Sequence, residues 1–197
     1  MGAFEESYGF MPKELTADAG YGSEENYEFL ESKNIEGFVK YAYFDKESNS
    51  TDNRGPFNVD NLFYNEQNDC FYCPMGQPMP LFDRKAETNE SGYERELSYY
   101  QALNCKGCPL RGACNKNKAN RIIQVSHKGR SLYKKARQRL LSDRGVYHRK
   151  QRPIDVEPVF GIIKQNKGFR KFNLRGIEKV AIEFGLIAIA HNLKKIA

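Results

Sequence analysis

The sequence predicts an α/β fold interrupted by a cysteine-rich module, and three observations predict it. The first fifty residues read as strand, helix, strand. All five Cys and four of the eight Pro then fall between Phe57 and Val125. From Gly129 onward the apolar residues recur with a helical period. The chain therefore divides into an opening α/β segment (residues 1–50), a cysteine-rich insertion (51–128) and a helical part (129–197).

Glu14 to Ala19 reads as a short buried strand that ends in a Gly20-Tyr21-Gly22 turn. Ser23 is a good N-cap for a helix over Asn26–Lys33, with Asn34 suited to close it. Ile35 to Phe44 alternates and is rich in aromatics, which predicts a second strand lying parallel to the first. Asp45 to Arg54 is polar and turn-rich, a linker. The insertion shows short β-like pieces at Asn68–Cys73 and Ile122–Val125 and no long helical period. Leu132, Tyr133, Ala136, Leu140 and Leu141 then mark one face of a helix expected to end near Gly145. Pro153 is placed to start another helix, and Val159, Phe160, Ile162 and Ile163 give that helix an apolar face. A last helix over Arg175–Lys195 is apolar around most of its circumference and is expected in the core. On it, His191 is expected to be a satisfied core histidine, and Glu183 to be half-buried without chemistry.

Of the 197 residues, 40% are hydrophobic and 28% charged, enough apolar material for a core. The longest apolar run, Ile182–Ala190, contains Glu183 and Gly185 and is far short of the roughly 20 residues of a membrane span. The acidic start, Met1 to Glu6, has no apolar signal core, so a cytoplasmic protein is expected. The net charge of +6 is unevenly spread: residues 121–197 carry +14 and the rest −8. A stretch so basic is a footprint for a polyanion, although an ordinary solvated helical surface gives the same count.

Cys70-Phe-Tyr-Cys73 and Cys105-Lys-Gly-Cys108 are two CxxC pairs, with Cys114 five residues beyond the second. Two residues between thiolates let a tight turn direct both sulfurs at one ion. Cys73, Cys105, Cys108 and Cys114 are the expected ligands of a closed structural zinc site. Cys70 is then spare, though it competes with Cys73 for the fourth place. Reduced, inert thiols are the alternative, and an iron–sulfur cluster is less favoured. Two carboxylates also stand out. Asp18 ends a strand, where α/β folds bind ligands, and Glu157 lies early on a helix with Lys164 two turns on. The pair could share hard cations such as Mg²⁺; equally, Asp18 could cap a turn and Glu157 a helix dipole.

The segment Ala17-Asp18-Ala19-Gly20-Tyr21-Gly22-Ser23-Glu24-Glu25-Asn26 resembles the second-aspartate motif of DDE-type insertion-sequence transposases. Val156-Glu157-Pro158-Val159-Phe160-Gly161-Ile162-Ile163-Lys164, continuing through Gly168-Phe169-Arg170 and Leu174-Arg175-Gly176, resembles their glutamate-helix motif. Glu178 through Lys194 resembles the helix that closes the domain, and the segments at Cys73 and Cys105–Arg111 resemble the cysteine-bearing insertion of one branch of these enzymes.

The resemblance runs from about Met11 to the C-terminus. It implies an RNase H-like fold, DNA strand cleavage and transfer at transposon ends, and two Mg²⁺ (or Mn²⁺) ions held by Asp18, Glu157 and a further aspartate. It also implies DNA backbone contacts from Arg149, Lys150, Arg152, Lys164, Arg170, Lys171 and Arg175, and is compatible with a homodimer of the complete enzyme. The seventeen residues before Asp18 contain no Asp, and the position four before Glu157 is Pro153 where relatives place an Arg. The sequence thus resembles the C-terminal part of a transposase, expected to be inactive alone. The alternatives are a non-catalytic zinc-containing DNA-binding module and a non-functional transposon remnant.

Overall fold

The computed structural model describes residues 2–49 and 54–196, in two compact units divided between Ser142 and Asp143. The first unit opens with α1 (Gly2–Tyr8), β1 (Glu14–Ala17), α2 (Glu24–Ser32), β2 (Glu36–Val39) and α3 (Phe44–Ser48). Ser23 caps α2 by accepting a hydrogen bond from the Asn26 amide at 3.2 Å, and Asn34 reverses the chain in the left-handed region at φ +52°. β1 and β2 pair in parallel, from Glu14 against Glu36 to Ala17 against Val39, as the strand–helix–strand pattern predicts.

The second strand is shorter than its aromatic run suggests. After Val39 the chain leaves the ladder, and Phe44, whose amide donates to the Tyr41 carbonyl at 3.0 Å, starts α3 instead. The cause is burial on both faces of a parallel strand. Phe38 packs with Phe44 and Leu140 on one side, and Val39 packs with Tyr27, Leu30, Leu132 and Ala136 on the other. Phe44 therefore has to fold back onto Phe38. Of the expected linker, residues 50–53 lie outside the described residues.

The insertion is a five-stranded antiparallel sheet in the order β3 (Tyr64–Asn65), β4 (Cys70–Tyr72), β5 (Pro78–Thr88), β6 (Glu94–Gln101), β7 (Ile122–Val125). β4 and β7 are the two pieces legible in sequence, whereas the longest hairpin, β5–β6, is not. Its turn does carry a signal: the Asn89 side chain accepts from the Ser91 and Tyr93 amides, and Gly92 sits at φ +84°. Leu62, Phe71, Met79, Tyr100, Ala102, Ile123 and Val125 form the core of the module.

Helix α4 (His127–Leu141) follows β7 directly and joins the two parts of the unit. Ser126 caps it, accepting from the Gly129 amide at 3.0 Å and donating to Glu24 at 2.7 Å. Leu132, Ala136 and Leu140 are buried as predicted, while Leu141 is exposed. Along α2, Glu28 and Glu31 meet Lys128 (2.5 Å) and Lys135 (3.0 Å) of α4.

The second unit differs from its expectation. α5 runs unbroken from Asp143 to Gly161 through Gly145, Pro153 and Pro158, where two helices are predicted. Gly145 is buried on that helix, with nothing to end it there. A π turn (Ile162–Asn166) and α6 (Ile177–Ile196) complete the unit. α6 is not the core helix its composition predicts: Ile177 is 89% exposed, and Ile182, Leu186, Ile189 and Leu193 are exposed as well. The described residues of this unit form no strand on which such a helix could be covered.

One polar cluster ties the sheet to α4. The Tyr100 hydroxyl donates to Asp69 (2.5 Å), and its oxygen lies 2.6 Å from His127 Nε2, so it accepts from that nitrogen's hydrogen. Tyr64 and Arg84 also bind Asp69. Burial, foremost, pushes the His127 pKa below its ordinary 6.5. The Tyr100 hydrogen bond, foremost, holds Asp69 below its ordinary 3.8. Below about pH 6.5 the unfolded chain then binds more protons than the folded one, and stability falls with pH. Asp69 adds a second loss below its ordinary value. Denaturation midpoints measured from pH 8 to pH 5 should decrease, and His127→Gln should flatten that slope; an unchanged slope would remove His127 as its source.

Candidate functional site

Asp18 stands immediately after β1, at the carboxyl end of the parallel pair. It precedes a single 3-10 turn (Ala19–Tyr21), whose Tyr21 amide bonds the Asp18 carbonyl at 2.9 Å. Its side chain makes no capping hydrogen bond to that turn, and the residue is exposed. A turn-capping role is thus not what the local geometry provides. The turn presses closely on the end of β2. A Cβ on Gly22 would overlap the Lys40 carbonyl oxygen and come within 2.8 Å of Tyr41 Cα, so only glycine permits this approach.

Glu157 is exposed on α5 in the second unit, and Asp18 belongs to the first. Lys164 falls in the π turn, where the Lys167 amide reaches back to the Ile162 carbonyl at 3.1 Å. The wider turn means that seven residues no longer make two turns, so Lys164 is carried round from the line through Glu157. Its ammonium lies 6.0 Å from the Phe160 ring centre. Lys164, Arg170 and Lys171 come together around a small cavity of about 140 Å³ walled by Phe160, Phe169, Phe172 and Phe184. Arg149 and Arg152 are half-buried on α5, while Lys150 and Arg175 are exposed.

Glu183 contributes something the sequence does not show. It is half-buried, as expected, and its carboxylate accepts from the Asn173 and Leu174 amides at 3.0 Å, which lowers its pKa. It therefore fixes the loop that carries Arg170, Lys171 and Arg175. His191 is buried, as expected, but the expected satisfaction of its ring is not met at Nε2, which is buried without a hydrogen bond among the described residues.

Four of the five cysteines, Cys73, Cys105, Cys108 and Cys114, line one cavity of about 30 Å³, and Cys70 is buried elsewhere, its thiol donating to the Phe71 carbonyl at 3.2 Å. Gly76 (φ +75°) and Gly107 (φ +71°) shape the turns that present Cys73 and Cys105–Cys108. Arg121 donates from its guanidinium to Cys114 Sγ (3.0 Å) and from its amide to Cys105 Sγ (3.4 Å). All five thiols are free of disulfides. Among the described residues, no three His, Cys, Asp or Glu side chains form a group able to hold a metal ion, so the zinc tetrahedron expected from the spacing is not supported by the arrangement itself. Among those residues, too, no helix is long and apolar enough to cross a membrane.

A family model described as the transposase DDE domain matches residues 72–197. The matched segment contains Glu157, Lys164 and the four cavity cysteines, and begins after Asp18. No curated protein matches the chain, and no solved structure does.

Because Gly22 is demanded by contact, Gly22→Ala should destabilise the first unit by roughly 1–3 kcal/mol, the range for forced overpacking. Gly20, which has nothing within 4 Å of an added Cβ, is the matched control. Thermal melts of Gly22→Ala and Gly20→Ala should differ clearly; equal melting temperatures would disprove the close approach.

Proposed function

The chain belongs to the family of the transposase DDE domain, and on that premise we propose that it forms the C-terminal part of an RNase H-like catalytic domain that cleaves and joins DNA at transposon ends. The observation that carries this reading is Asp18 at the carboxyl end of a parallel strand pair, together with Glu157 on a helix inside the family-matched segment. In this reading residues 1–50 are the closing strands of that domain, residues 51–128 an insertion within it, and residues 129–197 its helical part.

Asp18 and Glu157 are exposed carboxylates, the oxygen donors that hard divalent ions select, and would hold Mg²⁺ or Mn²⁺. When bound, such ions activate the attacking hydroxyl and stabilise the leaving oxygen at a scissile phosphate. The family resemblance places a third carboxylate on a strand upstream of Asp18, and residues 1–17 contain no Asp that could supply it. Lys164, Arg170, Lys171 and Arg175 would grip phosphates beside Glu157, and Arg149, Lys150 and Arg152 would extend the grip one to two turns along α5. Contacts of this kind fix register and affinity and carry little sequence choice.

We further propose that Cys73, Cys105, Cys108 and Cys114 bind one structural Zn²⁺. What supports the reading is the chemistry of the donors: four soft sulfur groups line one small cavity, and Arg121 donates hydrogen bonds to two of them. Protein prepared without chelator should contain about one zinc per chain. Cys108→Ser should lower both zinc content and melting temperature, and Cys70→Ser should leave the zinc content intact. Metal-free protein with an unchanged melt would refute the zinc.

The catalytic reading has its own test. The 197-residue chain alone should not cleave transposon-end DNA efficiently. Adding the upstream segment, fused or in trans, should restore Mg²⁺- or Mn²⁺-dependent cleavage. In the completed enzyme Asp18→Ala or Glu157→Ala should abolish cleavage and leave DNA binding in place. Cleavage that survives Glu157→Ala would overturn the assignment.

A further inference from the structure

The chain that follows β2 opens on a cleft of about 620 Å³ that none of the carboxylates or cations assigned above lines. One wall is the chain after β2, with Tyr41 and Tyr43; the opposite wall is α4, with Arg130, Tyr133, Lys134 and Arg137; Gly22 is at its edge. Arg54, Glu47 and Asp60 complete the lining groups that bear charge.

The charges do not cancel. Arg54 sits between the two carboxylates, 2.6 Å from Glu47 and 2.8 Å from Asp60. Arg137 and Arg130 approach those same acids only at 3.7 and 3.9 Å. Four cations thus face two carboxylates already engaged by Arg54, which leaves an anion-attracting cleft. Tyrosine rings face the same space. The Arg54 guanidinium lies 4.6 Å from the Tyr43 ring centre, and Tyr43 remains 43% exposed. Tyr41 and Tyr133 meet edge to face at 5.7 Å. The Tyr41 hydroxyl is held by Glu47, and burial raises its pKa, so it stays a neutral phenol and adds no repulsion. Tyr43 is the exposed ring of the cleft, approached by Arg54 and by Lys46 (5.5 Å), with the half-buried Tyr133 ring also lining it; aromatic rings interleaved with cations are a surface that takes unstacked bases and their phosphates. An acidic peptide would satisfy the cations but offer no flat ring to the tyrosines, and a duplex keeps its bases stacked.

We propose that this cleft binds an unpaired nucleotide of a DNA strand, with the base against Tyr43 and Tyr133 and its phosphates on Lys134 and Arg137. This rests on the reading of the chain as acting on DNA, and it adds a single-strand subsite between the chain that follows β2 and α4.

The probe is a short oligodeoxythymidylate carrying one 5-iododeoxyuridine, applied to the full 197-residue chain with no metal added. The chain has no Trp, so its emission comes from its twelve Tyr, and the part lost in Tyr43→Phe identifies the stacked ring. The oligonucleotide should quench that emission and photocrosslink to Tyr43 or Tyr133. Tyr43→Ala should weaken single-strand binding about tenfold, the loss of one stacked base, with duplex binding changed less than about twofold. Tyr43→Phe, which keeps the ring, should bind like the wild type, and Lys134→Ala, an exposed change that the fold tolerates, should weaken the single strand in the same selective way. Crosslinks outside the cleft, equal losses for single strand and duplex, or a polyglutamate peptide binding as tightly as the oligonucleotide would each overturn the proposal. Neither metal nor cleavage enters the assay. Correct crosslinks with failed Asp18 and Glu157 tests would remove the catalytic reading alone, and the reverse pattern would remove the cleft alone.

Discussion

Helix α4 can begin only where a buried carboxylate lets it. Glu24, 8% exposed, receives the Ser126 hydroxyl at 2.7 Å, and Ser126 in turn caps the Gly129 amide. A Cβ at position 129 would come within 2.5 Å of Glu24 Oε2, so glycine makes room for the acid at the helix N-terminus, where the helix dipole favours negative charge. Both cores of the α/β segment need this start. Leu132 and Ala136 close one of them and Leu140 the other. His127, the first helical residue, reaches the Tyr100–Asp69 pair inside the inserted sheet. The insertion and the parallel strands are therefore joined through this helix end, and through Asn89, Ser91 and Tyr93 of the β5–β6 hairpin, which donate to Glu25 and Glu28 of α2, rather than by a shared sheet.

That arrangement changes how the charge asymmetry is to be read. The +14 of residues 121–197 looks like a single polyanion footprint, but part of it is internal. Lys128 and Lys135 pair with Glu28 and Glu31 of α2, and Arg130 and Arg137 lean on Asp60 and Glu47. The acidic first part of the sequence and the basic helix α4 are complementary faces of one unit. Exposed pairs of this kind contribute little stability each, so their main effect is on docking orientation and on what charge is left over. Most of the cations assigned to DNA lie instead in the second unit, on α5 and the loop that Glu183 fixes.

The local signals in the sequence were strongest where one physical cause acts. Ser23 as cap, the parallel pairing of Glu14–Ala17 with Glu36–Val39, and the buried stripe Leu132–Ala136–Leu140 all follow from capping or periodicity. Reading failed where two causes compete. Tyr41 and Tyr43 have strand propensity, yet the burial of Phe44 against Phe38 turns the chain away. β5 carries Asp83, Arg84 and Lys85 in succession, so its pairing with β6 hides behind a charged run. The spacing of Cys73, Cys105, Cys108 and Cys114 brings them to one cavity, with tight turns at Gly76 and Gly107, but spacing alone gives no distance between sulfurs, and the expected ligand group does not form among the described residues. Asp18 and Glu157 came from motif resemblance, and no periodicity would have chosen them over the other acids.

The departures from ordinary helix rules in the second unit are not scattered. Pro153 and Pro158 both lie inside α5, each without an amide hydrogen for the carbonyl four residues earlier, those of Arg149 and Ile154. The π turn at Ile162–Asn166 follows within a few residues. An ideal helix would avoid all three, and sequences keep such local conflicts mainly where function opposes folding. Glu157 sits between the two sources of distortion. Lys164, carried round by the π turn, leaves the line through Glu157 that a regular helix would give it. Glu157 stands near the C-terminal end of α5 and not early on a helix as the sequence predicts, and there the helix dipole opposes a carboxylate, so the helix-dipole alternative is not what its position provides.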